Sequence, residues 1–209
     1  MIIIGLTGSV GAGKTETAKF FKRKKVPVFD SDNEVRLLYK KRIVIRKIKE
    51  EFPKAFTNNI LIKEKLAEIV FKDTKRLKTL ENIIYKYLKI KRYLWIRKKF
   101  REKKKVVVFD VPLLFEKDNV KKYDKIILVI CSEKIQKQRV LKRKSWNENR
   151  LKLTKKQQYE DKEKKKLAHI VINTDRGKRN VFNKITNILQ ECFNSESRAN
   201  NKIIFNFKK

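Results

Sequence analysis

The sequence predicts an α/β fold of three layers, a parallel sheet between helices. Three observations carry that reading. Short apolar runs alternate with segments of helical period. The runs end in glycines or acids, where α/β sheets place their ligands. Four of the five glycines, Gly5, Gly8, Gly11 and Gly13, fall where the first run meets the first helical segment.

Met1 to Leu6 is the first predicted strand, and a helix is expected from about Lys14 to Lys24. Between them Gly8, Gly13, Lys14 and Thr15 satisfy GxxxxGK[ST], the phosphate-binding loop, in the strand-to-helix context it requires. Such a turn aims backbone N–H groups and the positive end of a helix dipole at one point, which suits a polyphosphate. Lys14 adds a charge for the β and γ phosphates, and Thr15 offers a hydroxyl to Mg²⁺. The alternative, a glycine-rich turn without a ligand, leaves the clustering of glycines unexplained.

Val26 to Asp30 reads as a short strand with Pro27 near its start. It leads into Ser31 and Asp32. Acids just past a parallel strand lie where chemistry is done, which makes Asp32, and after it Asp30, candidates. Capping of a helix over 33–41 by Ser31 or Asp32 is a compatible role. From about 43 to 103 the pattern is helical and free of glycine: Ile43 to Phe52, a break at Pro53, Lys63 to Phe71, and a long helix from Lys75 to Arg101. Its stripe of Leu80, Ile83, Ile84, Tyr87, Leu88, Leu94 and Trp95 reads as core. The insertion is longer than a crossover needs, so it is suited to covering a substrate.

Val106 to Phe109 is a strand buried on both faces, followed by Asp110, an acid placed to hold Mg²⁺ through its waters. Lys125 to Ile130 is another strand, and a helix is expected from Glu133 to Lys144. Arg139 and Arg143, four apart, then share a face, as an anion clamp or as a solvated basic surface. Lys144 to Lys155 is expected to be a polar mobile loop, Lys156 to Lys166 a helix, and His169 to Asn173 the last strand. Gly177 precedes a terminal helix from Arg179 to Phe193, and the tail 194–209 is expected to be poorly ordered.

These elements amount to one domain over 1–193, with an insertion at about 43–103 and a lid at about 139–166. The formal charge of +34 invites a nucleic-acid or membrane reading. The basic residues are dispersed, however, and abundant Lys, Ile, Asn and Phe all have A/T-rich codons, so compositional drift accounts for the charge. Cys131 and Cys192 match no metal or redox spacing and read as plain reduced thiols. The single histidine, His169, reads as a partly buried structural residue. No apolar run reaches the length of a membrane span, and Met1 leads into a strand with no charged n-region or cleavage site. A soluble cytoplasmic protein is expected.

The motifs together resemble the dephospho-coenzyme A kinases. GLTGSVGAGKT is similar to that family's GLTGGIGSGKS, FDSDNEVR to its DADxxxR, and VPLLFE to its own signature; QKQRVLKR and HIVIN resemble its lid and last strand. The resemblance implies a phosphate-loop fold of the nucleoside-monophosphate-kinase kind. It implies that Gly8, Gly11, Ala12, Gly13, Lys14, Thr15, Glu16 and Asn173 bind ATP, and that Thr15 and Asp110 hold Mg²⁺. Asp32 would accept or orient the 3′-hydroxyl of dephospho-coenzyme A, with Arg36, Leu113 and Glu116 on the substrate side and Arg139 and Arg143 closing from the lid. The chain departs from the family where Ser9 replaces a glycine, where Tyr85 and Lys86 replace His-Pro, and where His169 replaces an acid. The function implied is ATP-dependent phosphorylation of dephospho-coenzyme A. The alternatives are a nucleoside or nucleotide kinase of the same fold and a basic nucleic-acid-binding protein. Small-molecule substrates, no specific nucleic acid, no membrane, and a monomer or weak oligomer are expected.

Overall fold

The computed structural model describes residues 1–194. By internal contacts the chain divides into two compact units, one of Met1–Asp30 with Arg97 onward, the other Ser31–Ile96. The first unit holds a parallel five-stranded sheet. Its strands are β1 (Ile2–Gly8), β2 (Val28–Asp30), β5 (Val106–Asp110), β6 (Lys125–Ile130) and β7 (Ile170–Asn173), in the order β2-β5-β1-β6-β7. Strand β1 is central, and all seven of its residues are buried. That is why it carries an unbroken apolar run instead of alternation.

On one face α1 (Lys14–Arg23) and the terminal helix α10 (Gly177–Asn194) pack Phe20, Phe21, Val181, Ile185 and Leu189 against Ile2, Ile4, Val108 and Ile127. On the other face Gly5 brings β1 against Leu114 and Tyr123, whose side-chain atoms a Cβ at Gly5 would meet at 2.6 and 3.0 Å. The short helix α6 (Leu114–Lys117) is therefore seated against the central strand. His169 is exposed, yet its Nδ1 accepts the N–H of Ile126 at 3.1 Å, extending the β6 ladder beyond the start of β7.

The second unit contains α2 (Ser31–Leu38), α3 (Arg42–Glu51), a hairpin of β3 (Phe56–Thr57) and β4 (Ile60–Leu61), α4 (Lys63–Lys72) and most of α5 (Thr74–Arg101). The hairpin fills the gap between the expected helical segments that end at Phe52 and begin at Lys63. Its turn residues Asn58 and Asn59 both have positive φ, 48° and 64°, the geometry a two-residue hairpin needs and asparagine tolerates. The buried stripe of α5 is Leu80, Ile84, Leu88, Arg92 and Ile96, stepping by four. Leu94, expected in that stripe, is exposed, and the core position is taken by Arg92, whose Nη2 donates to Ser31 Oγ at 3.1 Å.

The region expected to be a lid, about 139–166, also differs from expectation. Helix α7 (Glu133–Leu141) stops before Lys144, because Arg143 turns back to bond the carbonyl of Val140. Residues 148–155, expected to be loop, lie in α8 (Glu148–Lys156), capped by Asn147 Oδ1 on the N–H of Arg150 at 2.8 Å. The helix expected over 156–166 begins only at α9 (Asp161–Leu167). Asn194 ends α10, so the rest of the expected tail, 195–209, lies outside the described residues. Among the described residues no helix is long and apolar enough to cross a membrane.

Candidate active site

The site begins where β1 runs out. A Cβ on Gly8 would lie 2.5 Å from the backbone oxygen of Val129, so close pairing of β1 with β6 excludes any side chain. Gly11 and Gly13 have φ of 78° and 99°, and Gly13 is the N-cap of α1, which turns the first N–H groups of that helix toward the loop's concavity. Lys14 follows at once, and its Nζ is paired with Asp110 Oδ1 at the end of β5. The pairing follows from register: Leu6 of β1 lies opposite Asp110, so strand and loop bring acid and lysine together. Asp110 is 6% exposed, and partnering is what allows such a carboxylate to be buried. Asp30 lies opposite Asp110 on β2. Thr15 is exposed on the first turn of α1, and Glu16 faces outward to Lys19 at 2.6 Å, which lowers its pKa.

Arg139 stands beside the loop: its Nη1 is 3.5 Å from where a Gly13 Cβ would be. It donates to Thr174 Oγ1 at 2.7 Å and to the Thr174 carbonyl at 3.3 Å. Thr174 Oγ1 in turn donates to the carbonyl of Ala12 at 2.8 Å. Asn173, one residue earlier, turns its Oδ1 onto the N–H of Asp175 at 2.8 Å. Arg143 does not share a helical face with Arg139, since α7 has ended; it is exposed, its guanidinium 5.8 Å from the Trp146 ring. Cys131 has its Sγ 3.8 Å from the Gly11 carbonyl; burial pushes the thiol pKa up, partly offset by Arg139, which suits a structural thiol.

Leu113 precedes α6, and Pro112 accepts from Thr7 Oγ1 at 3.1 Å, tying this segment to the end of β1. Glu116 points into a buried ion pair with Lys164 at 3.3 Å and accepts the N–H of Tyr159 at 2.8 Å. In the second unit Asp32 and Arg36 are both exposed on α2, with Arg36 Nη2 3.4 Å from Asn33 Oδ1.

Residues 2–180 match the sequence profile of the family described as CoaE, dephospho-CoA kinase. The chain belongs to the dephospho-CoA kinase family. Relatives named dephospho-CoA kinase include one from Bartonella quintana, 36% identical over 91% of this chain and 97% of its own, and one from Agrobacterium fabrum, 33% identical over 91% and 98%. Among solved structures, TT1252 from Thermus thermophilus is similar at a TM-score of 0.79 and 29% identity, covering 91% of this chain and 97% of that one. The dephospho-CoA kinase from Campylobacter jejuni has the same fold at a TM-score of 0.61 and 17% identity, with 91% and 96% covered. As a dephospho-CoA kinase, the chain is an enzyme that phosphorylates dephospho-CoA with ATP in coenzyme A biosynthesis.

Within this dephospho-CoA kinase, motif reading missed Thr174, Gln136, Asp161 and Lys164. All four touch the loop or its immediate partners through side chains. Thr174 carries a readable signal, lying just past the carboxyl end of a strand. Lys164 carries none, because one lysine among so many has nothing to mark it.

Proposed function

We propose that the donor half of the reaction is run by the loop and its partners. The backbone N–H groups at Gly11 to Thr15, together with Lys14, hold the ATP phosphates, and Arg139 neutralises charge that develops on the transferring group. The observation that carries this is the convergence of Lys14, Asp110 and Arg139 on one glycine-rich helix N-terminus. Glu16 and Asn173 flank the ATP site, and Arg143 belongs to the rim of the lid.

Asp32 is assigned the acceptor half. It takes the proton of the ribose 3′-hydroxyl as that oxygen bonds to the γ-phosphorus and the bond from that phosphorus to the β,γ-bridging oxygen breaks, releasing ADP. Its exposure and its place two residues past β2 support this role. Arg36 supplies a cation for the anionic acceptor, and Leu113 shapes its contact surface. Glu116 serves the acceptor indirectly, since its carboxylate is already committed to Lys164.

Thr15 and Asp110 are the residues that fit Mg²⁺. Hydroxyl and carboxylate are hard oxygen donors, and a two-ligand protein set suits an ion that keeps waters and takes phosphate oxygens. When bound, the ion neutralises β and γ phosphate charge. The enzyme works in the cytoplasm as a monomer or weak oligomer, without nucleic-acid or membrane partners.

The deciding experiment is ADP release with ATP and Mg²⁺ across dephospho-CoA, nucleosides and nucleoside monophosphates. Preference for dephospho-CoA is expected; equal release with a nucleoside monophosphate overturns the acceptor assignment.

A further inference from the structure

The tip of the phosphate loop is held from outside by a buried polar cluster that phosphate binding does not require. Ser9 Oγ donates to Asp161 Oδ1 at 2.5 Å and accepts from Lys164 Nζ at 3.1 Å. Lys164 is 0% exposed and also faces Glu116 at 3.3 Å. The next loop residue, Val10, donates its N–H to Gln158 Oε1 at 3.1 Å, while its carbonyl accepts from Gln136 Nε2 at 2.7 Å. Asp161, Lys164 and Gln158 lie where the chain returns from the lid, and Gln136 lies on α7, where it departs. Between these limbs is a cavity of about 880 Å³, lined by Ser9, Cys131, Leu151, Lys155 and Asp161 among others.

A buried ammonium is retained only where it is paired, and here Lys164, on α9, finds its partners on two other segments, the loop and α6. Two consecutive loop residues are thus fixed to both roots of the lid. The glycine of the family pattern quoted above has no side chain with which to make either Ser9 bond.

We propose that Ser9 and Lys164 are positioning residues that tie the phosphate loop to the returning limb of the lid, so that cradle and lid respond to nucleotide together. This rests on the kinase reading. The loop amides must sit within a fraction of an ångström of the phosphates to be effective, so a tip that drifts loses rate without losing the fold. A lid decoupled from the loop also excludes water less well, diverting ATP to hydrolysis.

The test uses the full chain with Ser9→Gly, Asp161→Asn and Asp161→Ala, read by steady-state kinetics and thermal midpoint. Ser9→Gly is expected to fold, to lose about tenfold in kcat/KM for ATP, and to raise the ratio of acceptor-free ATP hydrolysis to transfer. Asp161→Asn keeps an acceptor oxygen and is expected within about twofold of the parent, whereas Asp161→Ala matches Ser9→Gly. The double variant Ser9→Gly with Asp161→Ala is expected to be no worse than either single one. Parent-like kinetics and hydrolysis ratio in Ser9→Gly, or equal damage from Asn and Ala at 161, overturns the proposal. A parent inactive on dephospho-CoA instead sinks the kinase reading. The tether is then judged by proteolysis of 142–160 with a non-hydrolysable ATP analogue, where protection in the parent and its loss in Ser9→Gly is expected, and equal protection overturns it.

Discussion

The phosphate loop and helix α2 carry the two ends of the proposed reaction, and they are held differently. Around the loop the charged side chains and the backbone have defined partners: Lys14 is fixed by Asp110, Arg139 by Thr174, and the Ala12 carbonyl by the Thr174 hydroxyl. On α2, Asp32 and Arg36 are exposed, and support comes from below, where Arg92 reaches Ser31. The loop is preorganised by burial and register, whereas α2 presents its groups to solvent on eight residues of helix. Preorganised donors act at full strength in the transition state. A side chain presented in water gains its geometry only when substrate arrives.

Four substitutions break or sharpen this contrast. Lys14→Ala, which removes the cation paired with Asp110, is expected to lower kcat by about 10²–10³-fold in a coupled ADP assay with dephospho-CoA. Asp32→Asn is expected to lower kcat by about a hundredfold with a smaller effect on the KM for ATP; unchanged turnover removes Asp32 from its role. Thr174→Ala removes the group that orients Arg139 and satisfies Ala12. Its expected effect is about tenfold in kcat/KM for ATP, together with a lower urea midpoint from roughly 1–2 kcal/mol of lost hydrogen bonding. Arg143→Ala gives the smallest change, under about threefold in kcat/KM, as fits an exposed cation over an aromatic ring. A loss comparable to that of Thr174→Ala would place Arg143 in the machinery beside Arg139.

The sheet and the loop were legible because their signals are local. GxxxxGK[ST] after an apolar run names its own geometry, and VVVF or KIILVI has no other comfortable place than a doubly covered strand. The segment expected as a lid was misread for an equally physical reason: residues 148–155 are so polar that composition imitates a loop, and the one useful mark was Asn147 at an N-cap position. The hairpin at Asn58 and Asn59 went unread in the gap between Phe52 and Lys63, because strands of two residues each leave no alternation to recognise. Lys164 was beyond reach. Its importance lies in being wholly enclosed between Glu116 and Ser9, and enclosure is a property of the fold rather than of the residue's neighbours in sequence.

The pairing of Lys14 with Asp110 gives nucleotide binding the character of an exchange. The lysine already has a counterion, supplied by the end of β5, so in its proposed role an arriving phosphate displaces a carboxylate rather than settling on a bare cation. The affinity that is measured is then the difference between two ion pairs. It follows that Asp110→Asn is expected to be a trade: the cradle becomes a better general trap for anions, inorganic phosphate and sulfate included, while losing the acid proposed to make a nucleotide with its metal preferable to them.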